Sequence, residues 1–396
     1  MLSALQRFVT RDSVAISGYV LGIISLLLGW LTFKPNRIVS GYSLDLWQSY
    51  EATGGFIIIG LWLLCILSHF VKDKHYRGLL SGLSANLILI ATLLLAGFNA
   101  GRLLEGEAIA SRISLGAGIW LTLAGTYIIL FASRRNLTGY RLRQYIISLL
   151  GIIAFLIILS AGWLDDLSVL REFMVYEARF SQEFWRHIAL FVVSVSLGVF
   201  IGIPLGIWAT RSRRAEKPIF FITNITQTIP SLALFGLLIA PLSVLSFRFP
   251  FLRELGIRGV GFTPAIIALT IYSLLPIIQN TYVGLRQLDT SVLDAGLGMG
   301  MSRFQVFRKI EIPLATPLIL EGVRIASVQG VGLATVAALI GAGGLGFFVF
   351  QGLGQATSDL ILLGAIPIII LALVVDAAMR ITVKIATPKG IIRIEK

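Results

Sequence analysis

Charge is scarce in this sequence: 13% of its 396 residues are Asp, Glu, Lys or Arg, about half the ~25% usual for a soluble domain. Cysteine is nearly absent. The one present, Cys65, lies in the apolar run GLWLLCILSHF, so an intramolecular disulfide is impossible and a thiolate metal cluster lacks ligands. Cys65 reads as a small hydrophobe. The three histidines, His69, His75 and His187, show no HExxH or other ligand spacing, which leaves no metal site to assign. No GxxxxGKS/T loop occurs, so the chain is not itself a P-loop ATPase. No nucleophile and base constellation or metal motif supports a membrane enzyme.

Apolar residues are what it has, at 56% of the chain with a mean hydropathy of +0.88. No single water-soluble domain could cover that surface, so a bilayer is the expected solvent, and a disordered or collagen-like chain is excluded. The net charge of +13 would suggest nucleic acid in a soluble protein but reports orientation in a membrane protein. No nucleic-acid partner is expected. Ten stretches of about 20 apolar residues qualify as membrane helices: 14–33, 55–71, 79–98, 113–131, 145–163, 188–209, 219–245, 263–283, 316–340 and 361–379. The first is too long for a signal-peptide core and has no small-residue cleavage site, so it reads as a retained helix. An all-α membrane protein of about ten transmembrane helices follows.

With the amino terminus in the cytoplasm, the inner loops hold 22 Lys and Arg and the outer loops 10. The excess lies in short loops, so both termini are predicted cytoplasmic. Residues 164–186 differ, carrying Asp165, Asp166, Glu172, Glu177 and Glu183 among Phe173, Tyr176 and Trp185. An external amphipathic interfacial helix is the expected form. It divides the chain into five amino-terminal helices (1–163) and a carboxy-terminal part (187–396) that holds the distinctive loops. No strong internal repeat supports an inverted-repeat secondary transporter. Gly341-Ala-Gly-Gly-Leu-Gly346 matches GxGxxG, yet it follows a long apolar segment with no βαβ unit, so a flexible loop between membrane helices is expected there.

The loop between the eighth and ninth spans reads LDAGLGMGMSRFQVFRKIEIPLATP over 293–317. Its length and composition predict two short helices joined at a glycine bend, with Ser302 capping the second and Pro313 ending it. Phe304, Val306, Phe307 and Ile310 give the second helix an apolar face suited to a partner's groove.

These residues carry a resemblance. Asp294-Ala295-Gly296, Gly300 and Ile312-Pro313 are similar to the "EAA" coupling loop of bacterial ABC importer permeases, E-A-A-x3-G-x9-I-x-L-P. The departures are Asp at 294, Gly at 296 and Ile-Pro in place of Leu-Pro. QTIPSLAL from Gln227 through Pro230 and Ser231, YSLLP from Tyr272 to Pro276, Asn280-Thr-Tyr282 and the 340–346 glycine loop resemble the glycine betaine, carnitine and choline (osmoprotectant) branch. That likeness covers about 184–379; some low-affinity betaine-type permeases are similar in having extra amino-terminal helices.

The resemblance implies a type I ABC-importer permease core over 187–396 with a coupling loop at 286–313. It also implies a bacterial inner-membrane location, an ABC ATPase partner carrying ATP and magnesium, an extracytoplasmic solute-binding protein, and a second permease copy or a related permease. The chain itself would bind no cofactor and catalyse nothing. The expected coupling residues are Asp294, Ala295, Gly296, Gly300, Ser302, Phe304, Phe307, Ile312 and Pro313. A substrate path would draw on Gln227, Pro230, Ser231, Phe235, Tyr272, Pro276, Asn280 and Tyr282: prolines free backbone carbonyls, and aromatic faces attract a quaternary ammonium by about 0.5–2 kcal/mol each. Aromatic packing is the alternative for each ring. Glu321 and Arg324, at i and i+3, share a face as a gating or structural ion pair. Asp376 and Arg380 have the spacing of an interfacial pair. A permease for another small solute, such as an amino acid or a sulfonate, or an ion-coupled secondary transporter, remain the alternatives.

Overall fold

The computed structural model describes residues 12–388, and the chain divides into two compact units, Met1–Val175 and Tyr176–Lys396. Arg7 and Arg11 at the amino terminus, and Lys389, Arg393 and Lys396 at the carboxyl terminus, which enter the topology expectation, lie outside the described residues.

The first unit contains α1 (Ser13–Ser25), β1 (Leu31–Lys34), β2 (Tyr42–Leu44), α2 (Leu46–Ser68), α3 (Lys74–Leu104), β3 (Arg112–Leu115), α4 (Ala117–Asn136), α5 (Arg141–Ser160) and α6 (Ser168–Val175). The first expected span does not form in full. Its helix stops at Ser25, and Leu31 to Phe33 pair antiparallel with Leu44 to Tyr42 and with Leu115 to Ile113, in the order β2-β1-β3. Trp30 ties the break together, because its buried indole Nε1–H donates to the Ser25 carbonyl at 2.9 Å, alongside the turn bond from the Leu28 N–H. The strand edges are then paired on both sides, so an otherwise helical unit carries a small sheet without an unpaired central strand. Around it Trp30, Trp62, Tyr50 and Ile58 are fully or almost fully buried.

The second unit runs α7 (Glu177–Arg211), α8 (Arg213–Thr228), α9 (Ser231–Arg248), α10 (Pro250–Glu254), α11 (Phe262–Arg286), α12 (Thr290–Gly298), α13 (Arg303–Val306), a π turn (Phe307–Glu311), α14 (Ile312–Val336), a 3-10 turn (Ala337–Ile340), α15 (Gly346–Gly354) and α16 (Ser358–Ala386). Its core is built of small residues: alanines make up five of the eleven members of the cluster around Phe235 and Tyr272. Gly198, Gly202 and Gly206 form a stripe at i, i+4 and i+8 on α7. A Cβ on Gly206 would stand 2.6 Å from Thr281 Cβ of α11, and one on Gly202 would stand 2.9 Å from Ile277 Cγ2. Close backbone approach over such a stripe supplies dispersion contacts where lipid removes the hydrophobic drive between helices.

Across both units, nine helical runs among the described residues are long and apolar enough to cross a membrane, with Ser13–Ser25 apolar but shorter. The one amphipathic helix expected over 164–186 is instead divided. Residues 168–175 form α6, Tyr176 interrupts, and 177–186 open the 35-residue α7. Its acids divide: Glu172 and Glu183 are buried at 1% and 0% exposure, while Asp165 and Glu177 are exposed and Asp166 is half-buried. Glu172 lies 3.7 Å from the Arg37 guanidinium and 3.9 Å from that of Arg112. The seventh expected span is likewise two helices, α8 and α9, broken at Ile229-Pro230.

Candidate coupling surface and translocation path

The 286–313 loop folds as a helical hairpin. Asp289 caps α12 by accepting from the Ser291 N–H at 2.9 Å, and that bond holds its carboxyl below the usual carboxylate range. Gly296 is buried in the hairpin, where a Cβ would stand 2.7 Å from Ile310 Cδ1. A small residue is required there for the two arms to meet. Gly300 turns the chain with φ +84° and open space beyond it, so the left-handed backbone and not crowding demands glycine. Ser302 then caps α13 in a reciprocal box: its Oγ accepts from the Gln305 N–H at 3.3 Å and its own N–H donates to Gln305 Oε1 at 2.8 Å.

Pro313, expected to end this helix, does not. The chain passes through the Phe307–Glu311 π turn and continues as α14 with Pro313 in its first turn. A wider turn just before a proline relieves the clash of the ring with the preceding carbonyls, and the missing N–H falls where a helix start can omit it. The coupling hairpin is therefore covalently continuous with the ninth expected span. Its apolar face also differs from expectation. Val306 is buried and Ile310 half-buried against Gly296, Phe307 lies half-buried under the Arg211 guanidinium at 5.5 Å, and Phe304 alone of the four is exposed, at 69%. Val292, Leu297 and Met299 join it as exposed apolar side chains, beside exposed Asp294 and Ala295. Ile312 is half-buried and Pro313 exposed. Glu311, buried under the hairpin, pairs with Arg211 at the end of α7; the hundred intervening residues hid that link from sequence inspection.

Gln227, Pro230, Ser231, Phe235, Tyr272 and Pro276 gather at the α8–α9 break, whereas Tyr282 meets Glu216 and Phe220 towards the other end of α8 and Asn280 bonds within its own helix. Pro276 has no N–H, so the Tyr272 carbonyl four residues earlier loses its helical partner. Gln227 Nε2 donates to that carbonyl at 2.7 Å. Tyr272 reciprocates through its hydroxyl, which donates to the Ile229 carbonyl just before Pro230. The kink at Pro276, where a freed carbonyl is expected, and the carbonyl before Pro230 are thus each closed by a side chain. Phe235 and Tyr272 are buried at 0% and 5% exposure, so both rings are packing elements here and offer no free face to a cation. Asn280 Nδ2 donates to the Pro276 carbonyl at 2.8 Å, Ser231 begins α9, and Tyr282 is half-buried, donating to Glu216 Oε1 at 2.8 Å with Phe220 edge-on at 5.2 Å.

Glu321 and Arg324 pair on α14 as their spacing predicts, Arg324 Nε donating to the two carboxylate oxygens at 3.1 and 2.9 Å. The same guanidinium reaches α16, giving Asp376 Oδ1 a bond of 2.6 Å, and Arg380 holds the other oxygen at 2.8 Å. The two pairs that look separate in sequence form one chain of charges across two helices. Arg324, Gln329 and Asp376 line a cavity of about 500 Å³ with Ile325 and Val328. The 341–346 glycine loop also departs from expectation. Gly343 and Gly344 hold φ of +75° and +86°, and the Gly344 N–H donates to Glu183 Oε2 at 2.6 Å, with Arg179 2.6 Å from the other oxygen. A loop expected to be flexible is closed on a buried carboxylate. Among the described residues no group of three or more His, Cys, Asp or Glu is placed to hold a metal ion.

Comparison with known proteins gives two family matches. The family described as binding-protein-dependent transport system inner membrane component matches residues 202–387. The one described as ABC transporter permease YehY, N-terminal domain, matches residues 10–170. The carnitine transport permease protein OpuCB of Listeria monocytogenes is 42% identical over 207 residues, which are 52% of this chain and 88% of that protein. The glycine betaine/carnitine/choline transport system permease protein OpuCB of Bacillus subtilis is 38% identical over 52% of this chain and 88% of its own length. The osmoprotectant import permease protein OsmW of Salmonella typhimurium is 37% identical over 52% and 91%.

Proposed function

This chain belongs to the family of binding-protein-dependent inner-membrane permeases of osmoprotectant ABC importers, and from that membership we propose that it carries a small quaternary ammonium osmoprotectant, of the glycine betaine, choline or carnitine kind, into the cytoplasm. It is a multi-pass inner-membrane transport subunit and not an enzyme. ATP and magnesium would be held by a partner ATPase, solute would be delivered by an extracytoplasmic binding protein, and a second permease would complete the path. The excess of Lys and Arg on the loops assigned inward supports cytoplasmic termini.

The observation that carries the coupling role is the exposed apolar tip at 292–304 on a hairpin that runs without interruption into α14. A push on Phe304 is transmitted along a continuous helix to Glu321, Arg324 and, across the ion pair, to α16. In proteoliposomes holding the chain with its ATPase and binding protein, labelled betaine, choline or carnitine accumulates only with ATP. Accumulation by this chain alone on an ion gradient overturns the reading, and preferential uptake of an amino acid or sulfonate overturns the substrate class.

A further inference from the structure

The first unit carries a groove on the surface of its membrane helices that nothing in the transport reading uses. Leu123, Tyr127 and Phe131 of α4 and Leu149, Ile152 and Phe155 of α5 wall a cavity of about 570 Å³. On its α3 side Asn86 commits its amide hydrogens to the Gly82 and Ile147 carbonyls at 2.9 and 3.0 Å, leaving only its buried Oδ1 unpaired. From Leu123 to Arg134 the groove follows α4 for roughly 16 Å at about 1.5 Å per residue, and it ends on the exposed Arg134 side chain.

That end is strongly cationic. Arg134, Arg135, Arg141 and Arg143 fall within ten residues, and no Asp or Glu occurs from 108 to 164. Lys72, Lys74 and Arg77 stand at the same end, at the start of α3. The carboxylates facing them are Asp12 and Asp73, and both are engaged otherwise. Asp12 accepts from the Ala15 N–H at 3.3 Å and from Asn136 Nδ2 at 2.8 Å. Asp73 accepts from the His75 and Tyr76 N–H groups at 2.8 and 2.9 Å. The opposite end of the unit holds seven acids against five basic residues. An apolar surface slot that ends at a cationic cluster, beside a guanidinium with no carboxylate partner among the described residues, fits an amphiphile with an anionic head.

We propose that this groove holds one anionic phospholipid, its acyl chain between α4 and α5 and its phosphate on the Arg134 guanidinium. A guanidinium meets phosphate oxygens through paired hydrogen bonds, and basic pockets between membrane helices suit anionic head groups. A zwitterionic lipid would fill the same slot but bring its ammonium into the arginine cluster.

The full-length protein is reconstituted in nanodiscs of equal parts phosphatidylglycerol and phosphatidylcholine, released into mild detergent and examined by native mass spectrometry. The wild type retains one phosphatidylglycerol per chain. Arg134→Gln lowers that retention by about tenfold, the scale of one charge-assisted contact, and Ile152→Trp, which fills the slot from an exposed position, lowers it similarly. Arg135→Gln, one residue on and outside the groove, changes it by less than about twofold. Equal retention of the two lipids, equal loss in Arg134→Gln and Arg135→Gln, or a groove covered by a second copy with no lipid retained each overturns the proposal.

Discussion

The two units meet one constraint, packing helices in a solvent as apolar as their own side chains. Both use close glycine contacts, Gly18 on Gly125 in the first and Gly206 on Thr281 in the second, but they differ in the side chains that fill the remaining space. The Met1–Val175 unit fills space with rings: Trp30, Trp62 and Tyr50 interlock among branched aliphatics. The Tyr176–Lys396 unit brings backbones together over glycine and alanine, breaks its helices at Ile229-Pro230 and at the 341–345 loop, and carries a π turn inside the otherwise continuous helix from Arg303 to Val336. Interdigitated rings have one arrangement that fills the volume. Small-residue interfaces between broken helices can shift with few side chains repacked. Breaks occur in the first unit as well, where α1 stops at Ser25 and Glu51 leaves helical geometry inside α2, but the second unit places its breaks beside the candidate coupling hairpin.

Size-changing substitutions should track the local packing of each site. Trp62→Ala, at 2% exposure, is expected to cost about 3–5 kcal/mol, read as thermal stability in detergent, while exposed Trp208→Ala in the second unit stays within about 0.5 kcal/mol. In the reverse direction, Gly206→Leu should cost about 1–3 kcal/mol through overpacking against Thr281. Gly60→Leu in the first unit, with nothing within reach of a new Cβ, should cost nothing measurable. Equal losses at positions 206 and 60 would erase the distinction.

A finer probe is the proline joint. Gln227→Leu strands the Tyr272 carbonyl and should cost about 1–2 kcal/mol. In a Pro276→Ala background, residue 276 regains an N–H for that carbonyl, and the same substitution should cost almost nothing. A double-mutant cycle showing no coupling would mean that the clasp does not serve the proline. Asp376→Asn should weaken the α14–α16 tie, as loss of a solvent-screened ion pair does, and should slow uptake more than it lowers stability.

The smallest effect concerns pH. The Asp289 carboxyl is held below its ordinary value by the Ser291 amide and hydroxyl, so its cap on α12 is fully present above the unfolded value of ~3.9 and fades as pH falls through the lowered one. Hydrogen exchange of residues 290–298 is then expected to show no contribution from this cap to pH dependence between about pH 5 and 8, once intrinsic exchange rates are divided out.

What was legible from sequence was local. Gly300 and Ser302 announce a bend and a cap within three residues of each other, and both act as such. Glu321 and Arg324 share a turn of helix, and they pair. What was not legible depends on distant partners: Asp376 lies 52 residues from Arg324, Tyr272 lies 45 from Gln227, and Gly344 lies 161 from Glu183. Pro313 misled because a proline that follows a π turn has the same sequence signal as one that stops a helix. The strand at 31–34 misled because four residues are too few to separate a period of two from one of 3.6 inside an apolar run. Burial was the least legible property, since Phe235 and Tyr272 carry the composition of a cation site and lie in a packed core.

The central claim, that the 292–304 tip takes the force of ATP hydrolysis, is tested most directly by Phe304→Asp. Phe304 is exposed and supports no packing, so the variant should reach the membrane with unchanged thermal stability. Co-purification of the ATPase should fall about tenfold or more, as for a central apolar anchor, and ATP-driven uptake should be lost with it. Wild-type uptake with full ATPase association in that variant would contradict the account.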